Sequence, residues 1–303
     1  MSIILITGAA TGIGRVTAER LAADGHTVYA SMRDPDGRNR EHAEEVRAHA
    51  RREHVELRVV ELDVTSQDSA DAAVATVLRE AGQLDVVVHN AGHLYVGYVE
   101  AFTAEDIAHL LDVNALGAQR VNRAALPHMR ERRSGTLLYI GSTIIVSTPP
   151  FLGPYVASKA AFDALAVVTS YEANAFGIET TIVMPGAITK GTQHFPNANR
   201  ASDQGVTAAY AALDPMVARN EEATSALFAP GVDASPVGVA DEVSRILALP
   251  FGAKPFRSVV DFTDAGVEAA NAVAQDVRHD FVNRLGFGEL LHPAGVSTGR
   301  SGR

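Results

Sequence analysis

The sequence predicts a single α/β domain, built as a doubly wound parallel sheet of about seven strands with helices on both faces. Three observations predict this fold. Short aliphatic runs alternate with helical patterns along the chain, and such runs are typical of strands buried on both faces of a parallel sheet. A glycine-rich turn at residues 8–14 follows the first run. No linker or shift in composition divides the chain, so one domain is expected.

The first half of the chain contains five predicted strands. The first, Ile3–Ile6, ends at the glycine turn, and the helix after it stops at Gly25. Thr65-Ser66 and Thr103 are predicted helix caps, because their side-chain oxygens can accept hydrogen bonds from the first amides of a helix. The other strands are expected in residues 26–32, 55–64, 84–92 and 135–142, and helices in residues 15–23, 41–54 and 104–129 and around Val77.

The second half contains two further strands and one long irregular stretch. A helix is expected in residues 155–176, strands in 178–186 and 256–262, and further helices in 239–249 and 265–285. Residues 187–237 form an insertion far longer than an ordinary connection of ~2–6 residues, and such insertions usually carry function. Residues 1–262 would then form the domain with this insertion. Residues 263–303 would add a C-terminal helix and a disordered tail.

Composition excludes several classes of function. The chain has 303 residues, 47% of them hydrophobic, and a net charge of −10, which disfavours nucleic acid and anionic membranes as partners. It has no cysteine, so disulfides and thiolate ligands are excluded. His89, among the valines of a predicted strand, is expected in the core, and His279 and His292 lack the partners of a metal site. The N-terminus does not resemble a signal peptide and no apolar run reaches membrane-spanning length, so we expect a cytoplasmic protein without a metal.

The glycine turn is the first candidate for a binding site. Gly8, Gly12 and Gly14 lie between the first strand and the first helix, where the backbone can approach a ligand and helix amides point at an anion. The alternative is that a tight turn between strand and helix needs glycine for its geometry alone. The position after the first strand favours a nucleotide pyrophosphate.

Tyr155 and Lys159 are the first candidates for catalysis. Four residues are a little more than one helical turn, so both side chains lie on the same helix face and can act on one molecule. Taken alone, the pair is better explained as a partly buried ring beside a solvated ammonium. Ser142 lies 13 residues before Tyr155, at the end of the fifth predicted strand, and Asn114 lies earlier in a predicted helix.

Together these motifs resemble the short-chain dehydrogenase/reductase family over residues 2 to about 262. The motifs are, in order, TGAATGIG, LDV with Asp63, NAG at residues 90–92, VNALG with Asn114, Ser142, Tyr155 with Lys159, and Pro185-Gly186. The resemblance implies a Rossmann-like fold and hydride transfer between a nicotinamide cofactor and an alcohol or ketone. It implies that Tyr155 is the general acid/base, that Ser142 binds the substrate oxygen, that Lys159 binds the nicotinamide ribose and lowers the pKa of Tyr155, and that Asn114 positions a water.

The resemblance also implies a set of cofactor contacts. They are Gly8, Thr11, Gly12, Ile13, Gly14, Arg15, Arg33, Asp63, Val64, Asn90, Ala91, Gly92, Tyr155, Lys159, Pro185, Gly186 and Ile188. Lys190 stands where the family often has threonine, for which Thr189 or Thr192 could substitute.

The end of the second strand indicates which nicotinamide cofactor is bound. Members of the family that use NAD resemble one another in an aspartate there, whereas this chain has Met32 followed by Arg33. A guanidinium can bind a 2′-phosphate by charge-assisted hydrogen bonds, so NADP is expected, with Arg15 as a second positive charge. The alternatives are NAD, and an Arg33 that only pairs with Asp34 or Asp36 at the surface.

The leading hypothesis is an NADP-dependent oxidoreductase for a bulky apolar secondary alcohol or its ketone. Substrate contacts are expected from Ile144, Phe151, Leu152 and Phe195, because the insertion supplies enough apolar surface for a lid. Two alternatives stay open: a reductase of a 3-oxoacyl thioester, which the negative charge disfavours, and a non-catalytic NADP sensor. A homodimer or homotetramer that pairs through helices 103–129 and 155–176 follows from the resemblance.

Overall fold

The computed structural model describes residues 1–296 and confirms a single sheet of seven parallel strands. The order across the sheet is β3-β2-β1-β4-β5-β6-β7. The strands are β1 (Ile3–Ile6), β2 (Thr27–Met32), β3 (Leu57–Glu61), β4 (Val86–His89), β5 (Gly135–Ile140), β6 (Ile178–Pro185) and β7 (Arg257–Val260). The chain runs outward from β1 to β3 and then returns to pair β4 with β1. In open sheets of this kind the crevice at such a reversal is where ligands bind.

Helices cover both faces of the sheet. They are α1 (Gly12–Ala23), α2 (Arg40–Glu53), α3 (Gln67–Ala81), α4 (Ala104–Leu111), α5 (Gly117–Arg132), α6 (Ile144–Ser147), α7 (Gly153–Asn174), α8 (Gln204–Ala209), α9 (Asp214–Ala218), α10 (Asn220–Ser225), α11 (Pro236–Leu247) and α12 (Val267–Arg284). Short 3₁₀ turns lie at Val99–Ala101, Ala211–Leu213 and Gly288–Leu291.

Strand β1 shows how one aliphatic run supplies both halves of the core. Ile3 and Leu5 belong to the hydrophobic cluster on one face of the sheet, and Ile4 and Ile6 to the cluster on the other. Successive side chains of a strand point to opposite faces, so every position of a strand in the middle of the sheet must be apolar. Burial of each such side chain contributes roughly 1.5–3 kcal/mol. Strand β7 at the edge is less buried, and its sequence is correspondingly more polar.

The caps and the long helix after Thr103 follow the prediction, with one local difference. Thr103 forms a capping box with Asp106, and the Ser66 hydroxyl accepts a hydrogen bond from the Ser69 amide at 3.2 Å. Residues 104–129 are helical throughout, as the sequence predicts. The difference is a π-helical turn at Asp112–Leu116, which lies between α4 and α5.

The insertion packs on the segment that follows β4. An isolated parallel bridge joins Tyr95 to Asn199, and the Tyr98 hydroxyl donates a hydrogen bond to Asp214 at 2.7 Å. The helices of the insertion, α8, α9 and α10, are short. This agrees with its sequence, in which apolar residues do not repeat at helical spacing over any long stretch. Of the tail for which we predict disorder, residues 297–303 lie outside the described part of the chain.

Residues 1–296 contain neither a helix that could span a membrane nor a cluster that could hold a metal ion. None of the helices there is long and apolar enough to cross a membrane. In the same range no group of three or more His, Asp or Glu side chains is arranged to hold a metal ion.

Candidate active site

The glycine turn after β1 leaves space for a ligand at the crevice. Gly8 and Gly12 have φ angles of +66° and +58°, which side chains disfavour. A Cβ on Gly8 would lie 2.8 Å from the Ala91 Cα, and one on Gly14 would overlap the Asn90 amide. The turn can therefore pack this closely against Asn90 and Ala91 only because Gly8 and Gly14 lack side chains. This cradle fits the pyrophosphate of a dinucleotide.

The first turn of α1 points its amides into the same cradle. Thr11 precedes α1 in an extended conformation, and within the described residues its side chain makes no capping hydrogen bond. The first amides of a helix then remain for an anion. Ile13, the second residue of α1, packs with its side chain against the core beneath.

Asn90 and Thr7 lock the ends of β1 and β4 together. The Asn90 side-chain amide donates to the carbonyl oxygens of Thr7 at 2.9 Å and Gly8 at 3.0 Å. The Thr7 hydroxyl accepts from the backbone amides of Asn90 and Ala91 at 2.9 and 3.0 Å. Gly92 follows directly, where a Cβ would come within 3.3 Å of the Asn114 Oδ1. The NAG motif thus fixes the floor of the crevice.

Arg33 lies where β2 ends, exposed beside the crevice. The surface pairs that the sequence left open are not formed. The Asp34 carboxylate accepts from the Arg38 amide at 2.7 Å, and Asp36 lies 3.9 Å from the Arg47 guanidinium. Arg33 thus presents a positive charge that, among the described residues, has no carboxylate within 4.0 Å.

Arg15 is in a different position. Its guanidinium lies 2.5 Å from a Glu19 oxygen and 3.4 Å from one of Glu45. It therefore does not share the environment of Arg33, and two carboxylates already compensate its charge.

The remaining cofactor candidates line the same edge of the sheet. Asp63 accepts hydrogen bonds from the Thr65 amide at 2.9 Å and hydroxyl at 2.7 Å. Burial acts to raise the pKa of Asp63, but these hydrogen bonds and the charge of Arg33 lower it overall. Val64 is buried against Gly117, where a Cβ would meet it at 2.9 Å.

The end of β6 closes the crevice on its other side. The Pro185 carbonyl accepts from the Thr143 amide at 3.0 Å and from the Ser142 hydroxyl at 3.5 Å. A Cβ on Gly186 would clash with the Asp261 carboxylate, and Ile188 is buried.

Tyr155 and Lys159 are both buried on one face of α7, with 7% of each residue exposed. The Lys159 ammonium donates to the carbonyl oxygen of Ile140, the last residue of β5, at 3.0 Å and lies 5.1 Å from the centre of the Phe162 ring. Burial lowers the pKa of Lys159 to about 8. A solvated surface pair, the alternative that the sequence left open, is therefore excluded.

Burial raises the pKa of Tyr155 above its ordinary value. The expectation that Lys159 lowers this pKa does not hold in the ligand-free chain, where removal of the phenol from water is the larger influence. The hydroxyl thus keeps its proton at neutral pH, which is the form that a proton donor needs.

Asn114 is held in the π-helical turn by hydrogen bonds in two directions. Its side-chain amide donates to the His93 carbonyl at 3.0 Å and to the Ser158 hydroxyl at 2.9 Å. Its Oδ1 accepts from the His93 backbone amide at 2.8 Å. Both amide hydrogens are in use, so a water positioned by Asn114 would have to donate to Oδ1.

Ser142 is half-buried where β5 ends. Its hydroxyl oxygen accepts from the Ile144 amide at 3.2 Å. The side chain is thus oriented by both the turn before α6 and the end of β6.

The predicted substrate residues come together around Tyr155. Leu152 and Tyr155 belong to one buried cluster, against which the other three candidates, Ile144, Phe151 and Phe195, are packed. A cavity of about 300 Å³ lies behind Phe195 and is lined by Val96, Arg200, Asp214, Val217, Ala218 and Asn220.

The sequence leaves His194 open between a substrate contact and a surface residue, and it assigns no role to His93. His194 Nε2 lies 3.4 Å from the Tyr155 Oη, and His93 is fixed through its backbone by Asn114. The sequence signal for His194 was only its place in the insertion beside Phe195. His89, for which we expect a core position, is buried and stacks on Tyr139 with ring centres 4.6 Å apart.

Known proteins similar to this chain include two with named enzymatic activities. A 3-ketodihydrosphingosine reductase from Bacteroides thetaiotaomicron is 33% identical over 190 residues, which are 62% of this chain and 65% of that protein. The human 17-beta-hydroxysteroid dehydrogenase type 1 is 36% identical over 192 residues, 62% of this chain and 57% of that protein. The chain therefore spans less than two thirds of the length of these relatives.

Solved structures are similar over more of the chain. A short-chain dehydrogenase from Streptomyces avermitilis is 26% identical with a TM-score of 0.72, covering 95% of this chain and 99% of that one. An alcohol dehydrogenase from the archaeon Thermococcus sibiricus, complexed with 5-hydroxy-NADP, is 26% identical with a TM-score of 0.67, covering 86% and 96%.

A sequence model of the short chain dehydrogenase family matches residues 2–202, which include the glycine turn, Tyr155 and Lys159. The match covers well over half of the chain, and the order of the strands agrees with the dinucleotide-binding fold. The chain belongs to the short-chain dehydrogenase family.

Proposed function

We propose that the protein is an NADP-dependent oxidoreductase that interconverts a bulky apolar secondary alcohol and its ketone, with Tyr155 as general acid/base. The observation that carries this proposal is the pair on α7. A protonated phenol and an ammonium are buried together on one helix face, beside the ends of β5 and β6. Burial of a phenol and an ammonium with few hydrogen-bond partners costs folding free energy. Groups buried at such a cost are typical of active sites, which favours a catalytic role.

The cofactor would bind across the crevice between the glycine turn and Lys159. When bound, the nicotinamide supplies or accepts the hydride. Gly8, Gly12 and the first amides of α1 would hold the pyrophosphate, and Asn90 would support the backbone next to it. NADP is favoured by Arg33, whose unpaired charge can bind a 2′-phosphate. The NADP analogue bound by the Thermococcus sibiricus enzyme supports the same choice.

Each residue on α7 and β5 has a distinct part in the proton transfer. In reduction Tyr155 gives its proton to the substrate oxygen, and in oxidation it accepts one. Ser142 would donate a hydrogen bond to that oxygen and orient it. Lys159 would hold the ribose and stabilise the phenolate after the transfer, and Asn114 would accept a hydrogen bond from a water that returns the proton.

The proposed size and polarity of the substrate rest on the apolar side chains around Tyr155. Leu152, Phe151 and Phe195 form an apolar surface, and Phe195 also borders the cavity of about 300 Å³. The names of the two relatives, which refer to a sphingoid ketone and a steroid, support a large apolar substrate.

A panel of ketones and alcohols, measured with NADPH and NADH side by side, tests the proposed function. We expect turnover of bulky apolar ketones and a preference for NADPH. The variant Tyr155→Phe should fold and bind NADPH but lose at least ~10²-fold in turnover. Near-normal turnover of Tyr155→Phe contradicts the assignment of the acid/base, and binding of NADPH without turnover of any substrate favours a sensor.

We also propose that copies of the chain associate as a homodimer or homotetramer through α5 and α7. A stripe of exposed apolar side chains lies on α7 and the turn after it, with Leu165 41%, Val168 54% and Phe176 36% exposed. A groove of about 400 Å³ lies between α5 and the end of α7, and Phe176 is part of its lining. Exposed apolar surface of this kind commonly marks a protein interface.

A further inference from the structure

In the ligand-free chain the Tyr155 hydroxyl faces a histidine of the insertion. The His194 Nε2 lies 3.4 Å from the Tyr155 Oη, and the two rings meet edge to face with centres 5.9 Å apart. The His194 imidazole is therefore within reach of any group that binds to the Tyr155 hydroxyl.

The backbone after His194 is anchored, and the backbone before it passes beside the glycine turn. Before it, a Cβ on Gly12 would come 3.7 Å from the Thr192 Cβ. After it, the Asn199 amide donates to the Leu94 carbonyl at 3.0 Å, and the Val96 amide to the Asn199 carbonyl at 3.0 Å. The turn that carries His194 is thus tied to the segment after β4 and lies next to the cofactor crevice.

The imidazole of His194 is neutral at physiological pH. Burial is the main cause, and the nearby charges of Lys159 and His93 act in the same direction, lowering the pKa of His194 to about 4. A neutral imidazole carries one N–H donor and one acceptor. It can donate a hydrogen bond to a developing negative charge without placing a second cation beside Lys159.

We propose that His194 is a further catalytic residue, whose Nε2–H donates a hydrogen bond to the same substrate oxygen that Tyr155 protonates. This inference rests on the proposed function and adds a third donor to Tyr155 and Ser142. A substrate oxygen at a normal hydrogen-bond distance of ~2.8 Å from the Tyr155 Oη can also lie ~2.9 Å from an Nε2 that is 3.4 Å from that Oη.

The proton balance of the step leaves His194 unchanged. In reduction the carbonyl carbon receives a hydride with its electron pair, which the reduced nicotinamide would supply and so become oxidised. The C=O π pair becomes a lone pair on the oxygen, and the Tyr155 proton moves to that oxygen and leaves Tyr155 as a phenolate. His194 keeps its Nε2 proton throughout, and its hydrogen bond strengthens as negative charge develops on the oxygen. Its contribution is electrostatic, since it stabilises the transition state more than the ketone.

Two substitutions separate this role from simple packing. His194→Phe keeps a ring against Tyr155 but removes the donor, whereas His194→Gln keeps an N–H donor. With NADPH and a ketone that the wild type reduces, we expect His194→Phe to lose ~10²-fold in kcat and His194→Gln to stay within ~10-fold of wild type. NADPH binding, followed by nucleotide fluorescence, should be unchanged in both. The matched control is His109→Phe, at an exposed position on α4, which should leave kcat unchanged.

Wild-type kcat in His194→Phe, or equal losses in the Phe and Gln variants, would overturn the donor role. Failure of the proposed function is recognised separately, because the wild type would then reduce no ketone of the panel. In that case nitrogen NMR of the imidazole decides. We expect a neutral Nε2–H ring from pH 5.5 to 8 whose resonance shifts in Tyr155→Phe. A ring that titrates above pH 6, or one insensitive to Tyr155→Phe, overturns the inference.

Discussion

The availability of a single side chain at the crevice depends on its charged partners. Arg33 and Arg15 illustrate this, since both are arginines near the glycine turn but only Arg15 is compensated by carboxylates. Position along the sequence therefore does not tell which guanidinium is available for a phosphate. The carboxylates that surround each guanidinium in the folded chain determine which one is available.

Arg33→Ala should weaken NADPH binding and leave NADH binding unchanged. Hydrogen bonds to a charged group contribute about 1.5–3 kcal/mol, so we expect the Kd for NADPH to rise roughly 10- to 100-fold. Titration of nucleotide fluorescence with both cofactors measures this directly. Arg51→Ala, an exposed arginine at the end of α2, is the control and should change neither Kd. Equal effects on NADPH and NADH would contradict contact with a 2′-phosphate.

Lys159→Met should make the ligand-free chain more stable at pH 7 while abolishing turnover. The pKa of Lys159 is lowered to about 8, so between pH 8 and about 10 the unfolded chain binds more protons than the folded one. The free energy of unfolding of the wild type therefore increases as the pH rises through this range, because Lys159 loses its charge in the folded chain. Below pH 8 burial of the ammonium costs on the order of 2–3 kcal/mol, which methionine avoids.

Urea unfolding at pH 7 and pH 9.5 measures this difference. The stability advantage of Lys159→Met should be largest at pH 7 and shrink at pH 9.5, while the exposed Lys190→Met should show no such change. A Lys159→Met variant that is less stable than the wild type at pH 7 would show that the hydrogen bond to Ile140 outweighs the cost of burial.

At the scale of elements, the strands and most helices could be predicted because local signals specify them. An aliphatic run such as Ile3–Ile6 predicts a strand without knowledge of the tertiary structure, and Thr103 predicts the start of α4 because its side chain can cap the helix. The π-helical turn at Asp112–Leu116 could not be predicted, because Asn114 adopts it to reach His93 and Ser158, which are distant in sequence. Such turns frequently mark functional sites.

The same distinction between regular and irregular segments applies to the residues of the candidate site. The glycine turn, Tyr155 and Lys159 could be identified from spacing, since they lie on regular elements. The contact of His194 with Tyr155 could not, because the insertion has no period from which a direction can be derived.

Asn114→Ala should destabilise the junction between the segment after β4 and α7. It leaves the partly buried His93 amide and carbonyl without their partner, at a cost of roughly 1–3 kcal/mol. Urea unfolding should show this loss, and hydrogen exchange of residues 93–98 should become faster. The exposed Asn197→Ala serves as control. Unchanged stability would mean that water replaces the amide without cost.

At the scale of the whole molecule, exposed apolar surface distinguishes two regions. One is the stripe on α7 next to the groove at α5, and the other lies on α12, where Val273, Val277 and Phe281 are each more than half exposed. Leu165 and Val168 are three residues apart, so they lie on the same face of α7, and Phe176 follows in the turn after the helix. The Arg130 guanidinium of α5 lies 5.7 Å from the centre of the Phe176 ring and connects α5 to that turn.

Val168→Asp should dissociate the proposed assembly of copies. In a symmetric dimer each substitution is present twice at the interface, and two unpaired carboxylates buried in an apolar contact cost several kcal/mol, so we expect association at least ~10²-fold weaker. Sedimentation velocity over a range of protein concentrations measures the change. Val273→Asp, the same substitution at an exposed valine of α12, is the matched control and should leave the assembly intact. If instead Val273→Asp dissociates it and Val168→Asp does not, the copies meet through α12, and the groove between α5 and α7 faces solvent.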